Sequence, residues 1–418
     1  GLRYGDRIVS VDGKDAKDWT SAEVSKNVRG ERNTSVHVQV ERVGAQGPLD
    51  FDITRGGVPL PSIRNYFMLT NGVGYVGLTG GFQQTTADEL NDSINELKKR
   101  GMKSLILDLR GNPGGILEEA VAVVSKFIPA GQTVVSIKSS RSGDFRDMKA
   151  TGGAVENVPL VVMINGGSAS ASEIVAGAIQ DYDRGLILGT DSFGKGLVQH
   201  VYRLPYTTGM TLTTARYYTP FGRSLQRDYS SGSIYDYYTH GEDSPDKTDA
   251  VDAKPKPAGS PVTTANGRVL YGGRGIEPDI VVPAQKLDAL RGRLNEAAFF
   301  FTRQLVAGKI AGFENLRADK QSFKTALLPN EFAVSDKLLD AFKAFAAADP
   351  KAGLTAQNIE SQADYAKSRL REEIATATDS QEAGVQVLLE TDPQVLKALE
   401  VIPQASGLVA RVNTDPFR

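Results

Sequence analysis

One stretch decides the fold at the centre of this chain: Pro159-Leu-Val-Val-Met-Ile-Asn165, then Gly166-Gly-Ser-Ala169, then Ser170-Ala-Ser-Glu-Ile-Val-Ala-Gly-Ala-Ile-Gln180. The first part is a short apolar run that predicts a buried strand, and residues 172–180 predict a helix. Only small residues join the two. Ser170 is therefore expected between the end of a strand and the N-terminus of a helix.

A serine at such a joint suits acyl transfer. Unpaired backbone N–H groups and the positive end of the helix dipole can stabilise an oxyanion there. The competing interpretation of the serine cluster is a turn of small residues that merely lets a strand pack close to a helix.

A lysine follows in the segment Ser192-Phe-Gly-Lys-Gly-Leu-Val-Gln199. A serine and a lysine so placed suggest a hydrolase with Lys195 as the base. Lowering a lysine pKa from about 10.4 to ~7–8 requires roughly 3–5 kcal/mol of destabilisation of the charged form, which burial can supply. The apolar neighbours expected to bury the amine are Phe193, Leu197 and Val198. In a strand, Gln199 would share the face of Lys195 and orient the amine without adding charge. The alternative is a surface lysine in a glycine-rich loop.

Composition removes several competing chemistries. The chain of 418 residues has no cysteine, which excludes thiol nucleophiles, disulfides and thiolate metal sites. Only three histidines are present, at positions 37, 200 and 240, so a histidine-rich metal site is not expected, and only His200 remains a candidate base. The net charge of −2 is spread along the chain and predicts no nucleic-acid partner. No apolar run approaches the ~20 residues of a membrane span, so a soluble chain is expected.

The sequence predicts an α/β and α+β protein of three domains. Residues 1–57 alternate strand patterns with one short helix, 58–283 alternate strands and helices as in a layered α/β core, and 284–418 are mainly helical. Within the core, a polar, proline-rich stretch at about 241–266 predicts a loop or flexible insertion. The helical region contains no chemical motif. It is expected to pack on the core or to form an oligomer contact.

A second turn of the predicted core contains Arg110-Gly-Asn-Pro-Gly-Gly115, between a buried strand at 103–109 and a helix at 116–127. Glycines there allow close approach of a ligand to backbone N–H donors. The alternative is a purely structural turn.

Four separated segments together resemble the carboxy-terminal processing proteases, also called tail-specific proteases. The segments are Asp108-Leu-Arg-Gly-Asn-Pro-Gly-Gly115, Gly167-Ser-Ala-Ser-Ala-Ser-Glu173, the segment around Lys195 and Gly275-Ile-Glu-Pro-Asp279. In addition, Gly1-Leu-Arg-Tyr-Gly-Asp-Arg-Ile-Val-Ser-Val-Asp-Gly13 is similar to part of a PDZ domain. That domain's first strand and carboxylate-binding loop are expected upstream of Gly1. The resemblance covers roughly residues 1–283.

The resemblance implies a serine endopeptidase on a crotonase-like core that cleaves flexible C-terminal tails without a cofactor or metal. Ser170 would be the nucleophile, Lys195 the general base and Gln199 the residue that positions the lysine. The backbone of Gly114 or Gly115 and of Ala171 would form the oxyanion hole. Asp181 lies where some members have an important aspartate, but it could equally cap a helix or form a salt bridge. An extracytoplasmic location, a tail-presenting PDZ-like module and homo-oligomers formed through the C-terminal helices are further expectations.

Two other functions fit parts of the sequence. One is a noncatalytic PDZ-containing peptide-binding protein, which the presence of Ser170, Lys195 and Gln199 disfavours. The other is an acyl-thioester-processing enzyme, because related layered cores serve coenzyme A chemistry. The PDZ-like segment argues against it.

Overall fold

The computed structural model describes residues 1–139, 145–153, 155–206, 208–227 and 260–414, with side chains to residue 408. The chain divides into two compact units: residues 1–60 with 285–392, and residues 61–284 with 393 onward. The predicted boundaries near residues 57 and 283 lie close to the limits of these units. The region 284–418, predicted as one domain, is shared between them, and the three-domain division stays a prediction. Most of the predicted insertion at 241–266 lies outside the described residues.

The first unit begins with a four-stranded antiparallel sheet of order β2-β1-β3-β4. Its elements are β1 (Arg7–Val11), β2 (Lys14–Asp15), α1 (Ser21–Val28), β3 (Ser35–Glu41) and β4 (Leu49–Thr54). Alternate residues of β3 are buried, as the period of two in Val36-His-Val-Gln-Val40 predicts. The short helix predicted within residues 1–57 is confirmed as α1, which starts at a capping box between Thr20 and Glu23.

Five helices complete the first unit: α5 (Ala289–Val306), α6 (Asp336–Ala347), α7 (Ala356–Glu360), α8 (Ala363–Thr378) and α9 (Gln381–Thr391). The apolar faces of α5 to α8 form a core of their own around the edge-to-face pair Phe301 and Phe342, whereas α9 packs against α8 in a smaller apolar cluster. The sequence pattern over residues 356–377 predicts one continuous helix, but the structure has two there, α7 and α8. Gln362 leaves the helical backbone conformation, and its side chain accepts a hydrogen bond from Arg291, a contact that local sequence does not encode.

The second unit is built on a six-stranded sheet of order β16-β11-β10-β7-β6-β5, parallel except for the β5–β6 pair. These strands are β5 (Ile63–Met68), β6 (Val73–Leu78), β7 (Ser104–Asp108), β10 (Leu160–Ile164), β11 (Leu186–Gly189) and β16 (Ile280–Val281). Every residue of β6, β7, β10 and β11 is buried, as the continuous apolar runs predict for parallel strands covered on both faces.

The helices of this unit are α2 (Thr86–Lys99), α3 (Leu117–Val124), α4 (Ala171–Asp181) and α10 (Pro393–Thr414). Helix α10 packs against β10 and β11 and begins with a proline, whose fixed φ and missing N–H suit the first helical position. The carboxyl ends of the parallel strands meet at one edge of the sheet, where parallel α/β proteins usually bind ligands. The strand–turn–helix segments β7–α3 and β10–α4 both turn at this edge.

A second, antiparallel sheet of order β12-β13-β8-β9 was not predicted. Its strands are β8 (Thr133–Lys138), β9 (Phe145–Lys149), β12 (Leu197–Arg203) and β13 (Gly209–Tyr218). A short hairpin of β14 (Val262–Thr263) and β15 (Val269–Leu270) completes the described strands. The mixed α/β class is confirmed. None of the described helices is long and apolar enough to cross a membrane.

Candidate active site

Ser170 lies at the predicted joint, immediately before α4, in a strained backbone conformation. Its φ of 55° and ψ of −111° lie in a region that residues other than glycine rarely adopt. Backbone strain of this kind costs of order 1–3 kcal/mol and persists only where surrounding contacts enforce it. The strand β10 and the helix α4 fix its two sides, and the prediction of a strand–helix joint at Ser170 is confirmed.

Asn112 supplies those contacts from the neighbouring glycine turn. Its backbone carbonyl accepts hydrogen bonds from the N–H of Ala169 and the hydroxyl of Ser172, both at 2.9 Å, so it holds the residues on either side of Ser170. The Asn112 side chain is fully buried and donates to the carbonyl of Leu78 at 2.7 Å while accepting from the N–H of Gly114 at 2.9 Å. The two predicted turns therefore form a single hydrogen-bonded structure.

Gly114 lies so close to Ser170 that no residue with a Cβ would fit in its place. A Cβ at position 114 would lie 2.8 Å from the Cβ of Ser170 and 2.7 Å from the carbonyl oxygen of Ala169, and the φ of 96° is itself unfavourable for other residues. Gly115 also has a positive φ, and a Cβ there would clash with the carbonyl of Phe82.

Two backbone N–H groups beside Ser170 lack a hydrogen-bond acceptor within the described part of the chain. Ala171 is the first residue of α4, so its N–H has no intrahelical partner. Gly115 lies opposite Phe82 in a single bridge, but the hydrogen bonds there use the carbonyl of Gly114 and the N–H of Ile116. The N–H of Gly114, by contrast, is already bound by Asn112.

Glu173 brings the serine and lysine segments together. Its side chain is completely buried, and one carboxylate oxygen accepts the N–H of Ser170 and the N–H of Lys195, both at 2.8 Å. The two nitrogens, 25 residues apart in sequence, are therefore within twice that distance of each other. The other oxygen accepts the Ser192 hydroxyl at 2.6 Å and the Gly194 N–H at 2.7 Å. Burial raises the pKa of Glu173, and these hydrogen bonds to the carboxylate oppose that rise.

The Lys195 side chain is exposed, so the predicted burial is wrong for the described structure. Lys195 precedes β12, which forms the edge of the second sheet and is largely exposed itself. The flanking residues Phe193, Leu197 and Val198 are only partly buried and do not enclose the amine.

Gln199 is exposed on β12, opposite Thr213 of β13. The β12–β13 pairing contains a β-bulge next to Gln199, and the extra residue of the bulge belongs to β13. The alternation along β12 is therefore unbroken, and Leu197 and Gln199 lie on the same face of that strand. Lys195 lies before the strand. Within the described residues, no hydrogen bond joins it to Gln199.

Residues 72–237 match the family model described as peptidase family S41. We call this stretch the S41 segment, after the family model that it matches. Curated relatives include a carboxy-terminal-processing protease of Bartonella bacilliformis, 38% identical over 231 residues, which are 54% of this chain and 52% of that protein. The carboxy-terminal processing protease CtpA of Bacillus subtilis is 34% identical over 227 residues, or 54% of this chain and 48% of that protein. The predicted resemblance to the carboxy-terminal processing proteases is confirmed. The chain spans about half the length of these relatives.

A solved structure titled photosystem II D1 C-terminal processing protease is 29% identical. The match covers 68% of this chain and 64% of that chain, with a TM-score of 0.38.

Within the S41 segment, Asp181 forms a buried ion pair with Arg223 at 2.6 Å and accepts the N–H of Phe221 at 2.8 Å. The salt-bridge interpretation of Asp181 is therefore confirmed. His200 is exposed on β12. His37 lies in the first unit, where its ring bonds Asp52 and Asp50 and these hydrogen bonds raise its pKa. His240 lies outside the described residues.

Sequence reasoning missed the roles of Asn112, Glu173 and Ser192. For Glu173 a signal existed, because a serine followed three residues later by glutamate at a helix start is a capping pattern. The structure explains why the last of the four segments has a glycine at position 275. A Cβ there would lie 2.5 Å from the Ser192 hydroxyl and 2.8 Å from Glu173, so only glycine leaves room for the buried carboxylate network.

Proposed function

We propose that this chain is a serine-type peptidase that cleaves polypeptides at or near their C-terminal tails through an acyl-enzyme on Ser170. One observation carries the proposal. Ser170 is held in a strained conformation at a helix N-terminus, against Gly114 and beside two N–H groups that have no acceptor among the described residues. A nucleophile next to preorganised donors is the arrangement that acyl transfer requires.

The oxyanion hole is assigned to the N–H groups of Gly115 and Ala171. Gly114 is the less suitable of the two glycines, because Asn112 already accepts its N–H. Its role is instead to leave room for Ser170. A carbonyl oxygen that becomes negatively charged during attack would then receive two hydrogen bonds, one from each turn.

Lys195 is assigned as the general base that takes the proton of the Ser170 hydroxyl and returns it to the leaving amine. Water then attacks the acyl-enzyme in the same way. Because the lysine side chain is exposed, we propose that a bound polypeptide covers it and so disfavours the ammonium form. Gln199 would orient the amine once it is covered.

The remaining assignments rest on the resemblance alone. They are the PDZ-like identity of residues 1–57 with a tail-presenting role, the crotonase-like character of the core, an extracytoplasmic location, and homo-oligomers formed through the C-terminal helices. Strand addition to a sheet edge is the means by which such a module would hold an extended tail.

Mass spectrometry tests the proposal directly. The chain, Ser170→Ala and His200→Ala are each incubated with an unfolded polypeptide and, separately, with an acyl-thioester. New peptide termini should appear with the chain and with His200→Ala, and should be absent with Ser170→Ala. Cleavage by pure Ser170→Ala protein, or turnover of the thioester alone, would overturn the assignment.

A further inference from the structure

A residue of the C-terminal helix contacts the glycine turn that lies against Ser170. Gln394, the second residue of α10, is 1% exposed, and its side-chain oxygen accepts a hydrogen bond from Arg110 Nη1 at 2.6 Å. Its side-chain nitrogen donates to the carbonyl of Val282, next to β16, at 2.7 Å. Gln394 therefore links the glycine turn after β7 to the end of the edge strand β16 through two hydrogen bonds.

Arg110 is the first residue of that glycine turn and is held from two sides. Its backbone N–H and its guanidinium bind the carboxylate of Asp108 at the end of β7, with distances of 2.7–3.0 Å. Asp108 is buried and also accepts the hydroxyl of Tyr75 at 2.8 Å. The bond to Gln394 adds a constraint from outside the S41 segment.

Short steps connect Arg110 to the site. The next residue, Gly111, donates its N–H to the side chain of Asn165 at the end of β10, at 2.9 Å. Asn112 then holds the N–H of Gly114 and both flanks of Ser170. A shift of Arg110 would thus move the donor of Gly115 relative to Ser170, and misplacements of about 1 Å can cost on the order of 10²-fold in rate.

We propose that Gln394 is a positioning residue: through Arg110 it fixes the glycine turn that supplies the oxyanion donor at Gly115. The inference rests on the proposed function of Ser170. It makes the start of α10 part of the machinery for hydrolysis.

The assay is the second-order rate at which a fluorophosphonate labels Ser170, per folded molecule. The reaction forms a tetrahedral adduct whose oxygen occupies the oxyanion hole, and every sample contains the same unfolded polypeptide so that Lys195 can be covered. Gln394→Leu removes the hydrogen bonds with Arg110 and Val282, whereas Gln394→Glu keeps an acceptor for Arg110 and loses the donor to Val282. Because a hydrogen bond to a charged group is among the stronger ones, labelling of Gln394→Leu should fall by about 10-fold or more. Gln394→Glu should stay within about 3-fold of the unaltered chain.

Val401→Ala is the matched control for stability, because Val401 is buried on the same helix and neither donates to nor accepts from Arg110. It should lower the melting temperature yet label at the normal rate. If Gln394→Leu does not fold, Gln394→Asn replaces it, since the shorter amide cannot reach Arg110, and the same slow labelling is expected.

Normal labelling of Gln394→Leu or Gln394→Asn overturns the inference, and so does equal slowing of the Leu and Glu variants. Failure of the proposed function gives a separate result, because the unaltered chain itself would then remain unlabelled at Ser170 even with the polypeptide present.

Discussion

Replacing Gly114 by alanine tests whether the close approach of the two turns is what makes Ser170 reactive. The added Cβ would meet the Cβ of Ser170 at 2.8 Å, the carbonyl oxygen of Ala169 at 2.7 Å and the N–H nitrogen of Ala171 at 3.0 Å. Two of these three atoms are backbone atoms, which cannot swing aside as a flexible side chain would. The whole joint must therefore move.

Two costs add in this variant. A non-glycine residue at a φ of 96° costs about 1–3 kcal/mol, and overpacking typically costs a further 1–3 kcal/mol. We expect Gly114→Ala to lose about 2–6 kcal/mol of unfolding free energy. Activity per folded molecule should fall by about 100-fold or more, because the nucleophile and the donor of Ala171 are displaced together.

Gly111→Ala is the matched control in the same turn. Its φ is 68°, also positive, but a Cβ there has no atom within 4 Å. Gly111→Ala should lose only the unfolding free energy that backbone strain costs, about 1–3 kcal/mol, and keep most of its activity. Thermal melts and fluorophosphonate labelling of both variants give the comparison. Equal loss of labelling in the two variants would refute the reasoning, because it would show that backbone strain alone accounts for the effect.

Four further outcomes are expected. Glu173→Gln should lower the unfolding free energy by about 1–3 kcal/mol and slow the labelling of Ser170. The reason is that the new NH₂ group would face N–H or O–H donors that now bind the carboxylate. An unchanged melting temperature and labelling rate would contradict this prediction. Burial raises the pKa of Glu372 to about 7, so the folded protein binds more protons than the unfolded chain between about pH 4.5 and 7 and loses stability as the pH rises through that window. The unfolding free energy of the unaltered chain minus that of Glu372→Gln should therefore fall by about 2–4 kcal/mol between about pH 4.5 and 7. A difference that does not change with pH would count against this reasoning. Asp181→Asn should cost about 3–5 kcal/mol in urea unfolding by leaving the charge of Arg223 without its partner, whereas a loss below about 1 kcal/mol would show the ion pair to be unimportant. Lys195→Arg should be inactive because a guanidinium does not deprotonate in proteins, and retention of more than about a tenth of the rate would exclude Lys195 as the base.

The sequence by itself determined the parts of this protein that depend on local patterns. The continuous apolar run before Asn165 and the helical pattern after Ser170 are each complete within a few residues, so the joint that holds Ser170 could be predicted. The same is true of the buried strand at 104–108 and of the capped helix at 21–28. Burial on both faces of a parallel sheet leaves an unbroken apolar signal in the sequence.

Contacts between distant segments decided the rest. The sequence did not predict the antiparallel sheet containing β12 and β13. Most residues of these two strands are exposed, so the strands lack the alternation of apolar and polar residues that indicates a half-buried strand. The exposure of Lys195 follows from its place at the edge of that sheet. The meeting of Ser170 with the Lys195 backbone depends on a single buried carboxylate at position 173, and the link from Gln394 to Arg110 spans most of the chain. Local propensity could not predict these contacts, because a hydrogen bond between distant residues is satisfied only after the sheet has brought the ends of its strands together.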